Sequence, residues 1–449
     1  MMVNARPLSD FTHADIDHML ESARGLFGER DCWVIRVPAR LCLVADHTDY
    51  WEVFSPQLVT FASDSCTMRA VISPRNDSLV RMCNMGEFED CEFNLNEKFP
   101  PAGSGQQWLD WLETQGTPAP HWSNYVRGPV RHAQMHHRVK WGFDILIDSD
   151  IPHSSGASSS SALTICAAVA IRLANGLALE KEALAKETAD AEWYVGTRGG
   201  MMDHATMAFA EEGRMLRLTF RPFSAQSLDS IDGLNSCKFV TIFTHPSDKG
   251  SATQLAFNAR ALAARDVIPR MLENPIEELP DVLSVTEISE DVMRKYPALQ
   301  AAGEGELRIK DWLDFAQGEF DRSQEMQVLL QTNGEVATMG SYMNQAWRDA
   351  GELYGIRTPQ MDRIADVCLQ CDGVLGLKVM GAGFGGNLLA LVRDDALDGL
   401  RSLLEENSDL FSRPVDESVL VHQLGQGVSI LTELEGDMNW APLWANAEE

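Results

Sequence analysis

The chain has no apolar run long enough to cross a bilayer, and no basic N-terminal region leading into an apolar core. Neither a membrane helix nor a secretory leader is expected. Positive charge is also scarce: 37 Lys and Arg stand against 66 Asp and Glu, a formal net charge of −29. Such a surface repels polyanions, which argues against nucleic acid or an anionic membrane as partner. A small phosphorylated ligand stays open, because helix N-termini, a metal ion and a few arginines can hold one locally. Cysteine is thinly spread, nine residues with no framework spacing, which points to free thiols in a reducing, cytoplasmic compartment rather than a disulfide scaffold. Cys368 and Cys371 form a Cys-x-x-Cys with no second pair nearby, so they read as small buried residues on a helix. There is no internal repeat and no long low-complexity segment.

What is present is an ordinary globular composition, 45% apolar over 449 residues. That length exceeds what one core usually supports, so two domains are expected. Trp33 to Leu43 reads as an apolar strand ending in a polar turn at Asp46 to Asp49. Gln57 to Ala62, Thr67 to Ile72 and Arg214 to Thr219 read as further strands, and Glu182 to Val195 as a helix. Ala225 to Ser236 reads as a connector and Phe239 to Phe243 as the first strand of a new unit, which divides the chain into 1–225 and 226–449. Gln254 to Phe320 and Met339 to Tyr354 are helical in composition. Strand pairs return at Leu375 to Met380 with Leu388 to Val392, and at Val419 to Val421 with Val428 to Leu431. Asn446 to Glu449 reads as a frayed end.

The densest signal is Pro152-His153-Ser154-Ser155-Gly156-Ala157-Ser158-Ser159-Ser160-Ser161-Ala162. Phe143, Ile145 and Ile147 alternate with polar residues before it, as in a strand, and Leu163 to Ile171 carries no charge after it, as in a buried helix. Small side chains let backbone N–H groups approach a ligand, and the first helical turn leaves those groups unpaired at the positive end of the dipole. Serine hydroxyls there can cap the helix or reach a metal. An anion cradle and a solvated serine-rich loop both fit this stretch taken alone.

Gly381-Ala382-Gly383-Phe384-Gly385-Gly386 satisfies G-x-G-x-x-G, the dinucleotide fingerprint. That fingerprint opens a helix, whereas Asn387 to Val392 continues as an apolar strand, so the cluster reads as a glycine turn between two strands. Arg40-Leu41-Cys42-Leu43-Val44-Ala45-Asp46-His47-Thr48-Asp49-Tyr50 puts polar groups at the end of an apolar strand. Carboxylates there can accept sugar hydroxyls, His47 can donate or accept, and Arg40 can offset developing negative charge. An Asx-turn with surface charges is the plainer alternative. Glu192 followed by Gly196-Thr197-Arg198-Gly199-Gly200-Met201-Met202-Asp203-His204 again combines glycines with an acid.

In this order the segments resemble the galactokinase branch of the GHMP small-molecule kinases. Ala39 to Tyr50 matches the family's G-R-V-N-L-I-G-E-H-T-D-Y. Pro152, Gly156, Ser159 and Ser160 match its phosphate loop P-x-x-x-G-L-x-S-S-A, with Ala157 and Ser161 as substitutions. Ala191 to Asp203 matches A-E-x-x-x-G-x-x-x-G-x-M-D, and Gly381 to Gly386 matches G-A-G-F-G-G intact. Weaker likeness continues through Asn124 to Gly128, Phe257 to Arg260 and Tyr354 to Asp362.

The resemblance implies an α/β (α+β) protein of two domains with its active site in the interdomain cleft, transferring the γ-phosphoryl of ATP to a monosaccharide, at the anomeric hydroxyl in galactokinases. It assigns Asp203 and Arg40 to catalysis, and Asp46, His47, Asp49, Gly200 and Phe257 to the sugar. ATP falls to Pro152, Gly156, Ala157, Ser158, Ser159, Ser160 and Gly383, and Mg²⁺ to Ser160 with Glu192. The expected partner is a small sugar, the expected form a monomer or weak homodimer.

Departures from the pattern fall on the sugar side. Asp46 stands for Glu, Trp51-Glu52-Val53 for Asn-Gly-Gly, and Phe257 for a tyrosine. His153, Ser154 and Ser155 replace the first glycines of the phosphate loop, and His153 reads as a loop residue rather than a catalyst. Arg198 adds a positive charge near Asp203, which would suit an acidic sugar such as a uronic acid, or else pairs with a neighbouring acid. A galactokinase-like sensor of sugar and ATP, without turnover, is the remaining alternative, with a kinase for a non-sugar alcohol opposed by His47-Thr48-Asp49-Tyr50.

Overall fold

Strand β1 (Trp33–Val44) is buried from Val34 onward instead of alternating, because helices cover its sheet from both sides. The structure is a computed structural model that describes residues 11–55, 57–86, 88–97, 107–153, 155–247, 251–273, 275–434 and 437–444. Ser154 and Asn446 to Glu449 lie outside the described residues. β1 is followed by β2 (Leu58–Pro74), β3 (Leu79–Asn84), β4 (Cys91–Asn94), β5 (Phe143–Ser149), β6 (Arg214–Phe220) and β7 (Phe223–Asp229). A second sheet begins at β8 (Cys237–His245). A ribbon of β9 (Val282–Ser284) and β10 (Glu306–Arg308) interrupts the helices that follow, and β11 (Val374–Val379), β12 (Gly386–Arg393) and β13 (Val419–His422) complete that sheet. The chain then returns to the first sheet through β14 (Leu424–Gly425), β15 (Ser429–Leu434) and β16 (Asp437–Pro442).

The first sheet runs β16-β15-β1-β2-β5-β3-β4, with β14 and the β6–β7 hairpin branching from β2; the second runs β11-β12-β8-β13. Helices Asn124–His136 and Ser159–Asn175 share a buried apolar core with one face of the first sheet, and Ile309–Gln331 and Val336–Glu352 add Met326, Leu329, Met339 and Met343 to it. The fold is therefore mixed α/β, as the sequence suggests.

Four expectations need correcting. The connector at Ala225 to Ser236 is half strand: β7 pairs with β6 along its length. The expected boundary at 225/226 falls inside that strand, and β15 and β16 bring residues 429–442 back to β1, so no single cut separates the sheets. The two strands expected at 57–62 and 67–72 are one, β2. The polar stretch Ser63 to Cys66 breaks the apolar pattern, and its hydroxyls bond outward and locally: Ser63 Oγ meets His422 Nδ1 at 2.8 Å and accepts the N–H groups of Ser65 and Cys66, while Ser65 Oγ donates to the Val421 carbonyl. The helical stretch 254–320 is also broken, by short turns and the β9–β10 ribbon between 276 and 308.

His422 joins the sheets. Its Nδ1 meets Ser63 Oγ on β2 and its Nε2 meets Thr241 Oγ1 on β8 at 2.7 Å. Burial pushes its pKa down to about 4, so the ring is neutral at ordinary pH. His422→Ala removes both bonds and leaves a cavity, and should lower unfolding free energy by about 3 kcal/mol in urea titrations. A loss under about 1 kcal/mol would mean that the sheets do not depend on this bridge.

Candidate active site

The serine stretch folds into a tight loop leading into the helix Ser159–Asn175. Ser158 is the residue before the first turn, in the left-handed region at φ 62°, yet its hydroxyl caps nothing. It donates instead to Asp203 Oδ2. The helix thus enters the cleft with no side-chain cap, and the N–H groups of Ser159 to Ser161 have no intrahelical acceptor. Ser155 Oγ closes the loop by donating to the Pro152 carbonyl at 2.7 Å.

A second loop grips the first by backbone contact. A Cβ on Gly156 would lie 2.7 Å from the Met380 carbonyl, and one on Gly381 would lie 2.6 Å from the Gly156 carbonyl. Both residues hold φ above 70°, so glycine is required at each for space and conformation. Asn387 N–H donates to the Ser155 carbonyl at 2.8 Å. Gly381 to Gly386 therefore is the strand-joining turn read from the sequence, between β11 and β12, and not a dinucleotide loop.

At the centre, Arg40 follows a bulge in the β1–β2 ladder between Pro38 and Arg40. Its Nε donates to Asp203 Oδ1, and its terminal nitrogen to the Gly156 carbonyl at 2.9 Å. Burial raises the Asp203 pKa, but Arg40 and the Ser158 hydroxyl more than offset this and hold it below the ordinary range. Asp203 is thus an ionised, partly buried carboxylate. Glu192 lies alongside: it accepts from Ser161 Oγ at 2.9 Å, and His204 Nε2 stands 3.0 Å away in ion-pair range but off the line of a good hydrogen bond. Burial opposes its charge, yet His204 and Ser161 leave its pKa lowered. Ser161 contributes the hydroxyl that meets Glu192, while Ser160, the residue matched to Mg²⁺, lines the same cleft.

The Asp46 to Tyr50 corner differs from expectation in how its polar atoms are used. Among the described residues six non-glycines have positive φ, and four of them, Ala45, His47, Ser158 and Phe384, belong to these motifs. Strain of this kind persists where surroundings hold it, and here Glu319 Oε2 accepts the Ala45 N–H at 2.5 Å. His47 Nδ1 meets the Tyr50 hydroxyl at 2.9 Å and its Nε2 meets the Gly381 carbonyl at 3.0 Å. Burial pushes its pKa down to about 4. A neutral ring with one N–H then donates to Gly381 and accepts from Tyr50, which bonds Tyr354 at 2.9 Å. His47 spends both nitrogens on the protein, contrary to the expectation that it grips a sugar hydroxyl. Asp46 pairs through Oδ2 with Lys378 on β11, leaving Oδ1 buried without a partner.

Asp49 is the carboxylate that stays available. Its Oδ2 accepts the Met202 N–H at 2.8 Å, and a Cβ on Gly200 would lie 2.0 Å from that oxygen. Burial, first, and the nearby Asp203 push its pKa up to about 6 against the pull of the Met202 N–H and Arg265. Phe257 lies beside the corner, its ring centroid 5.8 Å from those of both His47 and Tyr50. Arg198 does not reach the cleft, which corrects the acidic-sugar idea. Its guanidinium donates to the carbonyls of Lys295 and Trp193, at 2.8 and 2.7 Å, and pairs with no acid in those bonds.

Residues of all four motifs line one cleft of about 600 Å³. Arg40, Asp46, His47, Asp49, Gly200, Asp203, Glu192, Phe257 and Gly383 line it, as do Gly156, Ser158, Ser159 and Ser160. Pro152 and Ala157 do not: Pro152 shapes the loop through its carbonyl and Ala157 packs into the core. Pro118, Pro120, Trp122 and Tyr125 add an apolar wall to the lining. Sequence reading missed that wall, along with Lys378, Glu319 and Arg265. A lone lysine within an apolar strand was a usable signal for Lys378; Arg265, which binds carbonyls, left none.

Oxygen donors suit a hard cation, and Glu192 with the Ser160 and Ser161 hydroxyls offers such a set beside the helix N-terminus. No group of three or more His, Cys, Asp or Glu that could hold a metal occurs among the described residues. A divalent ion here would take its other ligands from phosphates and water, as Mg²⁺ usually does.

Residues 124–211 match the family profile of the GHMP kinases N terminal domain, and 326–408 that of the GHMP kinases C terminal domain. The chain is 26% identical over 378 residues to the galactokinase of Chloroflexus aurantiacus, covering 83% of this chain and 87% of that one. It is 28% identical over 379 residues to the galactokinase of Chloroflexus aggregans, with the same coverage of each. Among solved structures, Lactococcus lactis galactokinase complexed with galactose superposes with a TM-score of 0.73 at 22% identity, over 92% of this chain and 99% of that one. Methanococcus jannaschii mevalonate kinase gives a TM-score of 0.56 at 16% identity, over 89% and 99%.

The raised Asp49 pKa carries a stability cost with a definite sign. The folded state binds the proton more tightly than the unfolded chain, so this carboxyl's stabilising contribution is full below pH 3.8 and is lost as pH rises through about 6. Asp49→Asn should therefore gain about 1–3 kcal/mol over the parent at pH 7.5, a gain that vanishes near pH 3.5. Urea unfolding at both pH values measures it. An equal difference at the two would remove the assignment of a strained, ionised Asp49.

Proposed function

We propose that this chain, a GHMP kinase by both of its matched domains, is a galactokinase-like sugar kinase that moves the γ-phosphoryl group of ATP to a monosaccharide, at the anomeric hydroxyl. The observation that carries this reading is the ionised Asp203, held between Arg40 and Ser158 at the mouth of an uncapped helix N-terminus. Phosphoryl transfer asks a protein mainly for positioning and charge neutralisation. The free N–H groups at Ser159 to Ser161 and the loop at Gly156 suit the phosphates. The apolar wall of Trp122, Tyr125 and the prolines suits a flat base.

Asp203 would accept a hydrogen bond from the attacking hydroxyl and take its proton as the new P–O bond forms and the bond from the γ-phosphorus to the bridging oxygen breaks, releasing ADP. Arg40, already bonded to Asp203, keeps that carboxylate oriented and offsets charge where phosphoryl and acceptor meet. Asp49 and the backbone at Gly200 would fix the sugar, with the unpartnered Asp46 Oδ1 a further acceptor. Glu192 and Ser160, helped by Ser161, would hold Mg²⁺, which neutralises phosphate charge when bound. The nine free thiols suit a reducing cytoplasm.

Arg198 is occupied with backbone carbonyls, which withdraws support from an acidic sugar. The presence of Asp203, Arg40 and Glu192 together favours turnover over a non-catalytic sensor.

Sugar-dependent ADP release across hexoses, uronic acids and amino sugars tests the activity. Asp203→Asn should lower kcat by about 10³-fold or more and leave ATP affinity within about threefold. An unchanged rate removes Asp203 from the chemistry. Silence of the parent across the whole panel, with sugar and ATP both bound in calorimetry, would make the protein a sensor.

A further inference from the structure

The helix that begins at Ser251 does not stay regular. After Leu262 it widens into a π turn, Ala263–Val267, and then resumes at Ile268–Met271. Pro269 explains the position: it has no N–H, so it cannot bond the Arg265 carbonyl four residues back, and the ladder slips by one. Ile268 N–H reaches the Ala263 carbonyl instead, which frees the Ala264 carbonyl.

Two residues of this turn, Ala264 and Arg265, are used on the sugar side of the cleft. The freed Ala264 carbonyl accepts the Glu52 N–H at 3.2 Å, just beyond Asp49 and Tyr50. The Arg265 guanidinium forks onto two consecutive carbonyls, those of Arg198 and Gly199, at 2.6 Å each. It also stands 4.8 Å over the Trp193 ring and 5.4 Å over the Tyr50 ring, within cation–π range. Trp193 Nε1 donates to the same Gly199 carbonyl at 3.0 Å. The next residue, Gly200, is pressed on the Asp49 carboxylate, where a Cβ would come within 2.0 Å. One helical irregularity thus ties the two loops that bring Asp49 and Gly200 together.

We infer that Arg265 is a positioning residue for the acceptor sugar: its fork on the Arg198 and Gly199 carbonyls, from a π turn that also holds Glu52, sets Gly200 against Asp49. The inference rests on the sugar-kinase reading for its substrate, though not for its geometry. Lysine keeps the charge but lacks the planar fork that sets one nitrogen on each carbonyl, so Arg265→Lys separates the fork from the charge.

The test joins steady-state kinetics to hydrogen exchange on Arg265→Ala and Arg265→Lys. Both should raise KM for the sugar by about tenfold or more while KM for ATP moves less than about twofold, and guanidinium ion added to the alanine variant should recover part of the loss. Backbone exchange should quicken at 196–202 and 49–53 and stay unchanged in the helix Ser159–Asn175. Charges facing Asp49 are Asp203, Asp46 and Arg265, so the acidic limb of the pH profile should move up in Arg265→Ala and less in Arg265→Lys. Equal rises in both KM values, or exchange that quickens throughout, would overturn the inference and make Arg265 a general stabiliser. If the parent phosphorylates no sugar, the kinase reading fails on its own, and unchanged exchange at 196–202 in the variants would sink the Arg265 assignment separately.

Discussion

The close contact of two backbones, the loop at Ser155 and Gly156 against the turn Gly381 to Gly386, sets the position of everything else in the cleft. Neither side has room for a Cβ at the contact, so the sheets meet at one separation. From that contact Gly156 offers its carbonyl to Arg40, Arg40 aligns Asp203, and Asp203 takes the hydroxyl of Ser158 at the start of the helix. His47 is drawn into the same joint through the Gly381 carbonyl. A small shift at the glycines would be passed to the carboxylate, the helix N-terminus and the acid-bearing corner together, because close-packed interiors have little slack.

Charge inside the cleft is arranged by environment rather than by residue type. Asp203 and Glu192 are both partly buried, yet each is kept ionised by specific partners. Asp49, with one N–H and a distant arginine, is pushed up to about 6. His47 is kept neutral by burial, and Lys378 covers Asp46. The molecule is acidic overall, but in its cleft Arg40 accompanies Asp203 and Lys378 accompanies Asp46. That pattern suits a phosphate ligand in a protein whose surface would otherwise repel it.

Much of this was legible in the sequence where chemistry needs a fixed spacing. The serine stretch between a strand and an uncharged helix, the turn Gly381 to Gly386 followed by an apolar run, and the acids at 46, 49, 192 and 203 all fall in one cleft. The misreadings share a cause. β2 reads as two strands, at 57–62 and 67–72, because nothing local reveals that His422 and Val421, some 360 residues later, bond the hydroxyls of Ser63 and Ser65 between them. His47 looked like a sugar ligand because residue type does not disclose that Tyr50 and Gly381 consume both nitrogens. Neither reading of Arg198, a selector for acidic sugars or a salt bridge to an acid, foresaw its backbone partners, because carbonyl acceptors leave no trace in side-chain pattern. The return of β15 and β16 to β1 is long-range pairing of the same kind, invisible to local periodicity.

The central claim is that this cleft joins a phosphoryl group to a sugar's anomeric oxygen. Phosphorus NMR of the parent protein with ATP, Mg²⁺ and galactose or another sugar that stimulates ADP release tests it most directly. The account predicts a new phosphate-ester resonance coupled to the anomeric proton, growing in step with ADP and absent with Asp203→Asn. ADP accompanied only by inorganic phosphate, or an ester coupled to a different sugar proton, would contradict it.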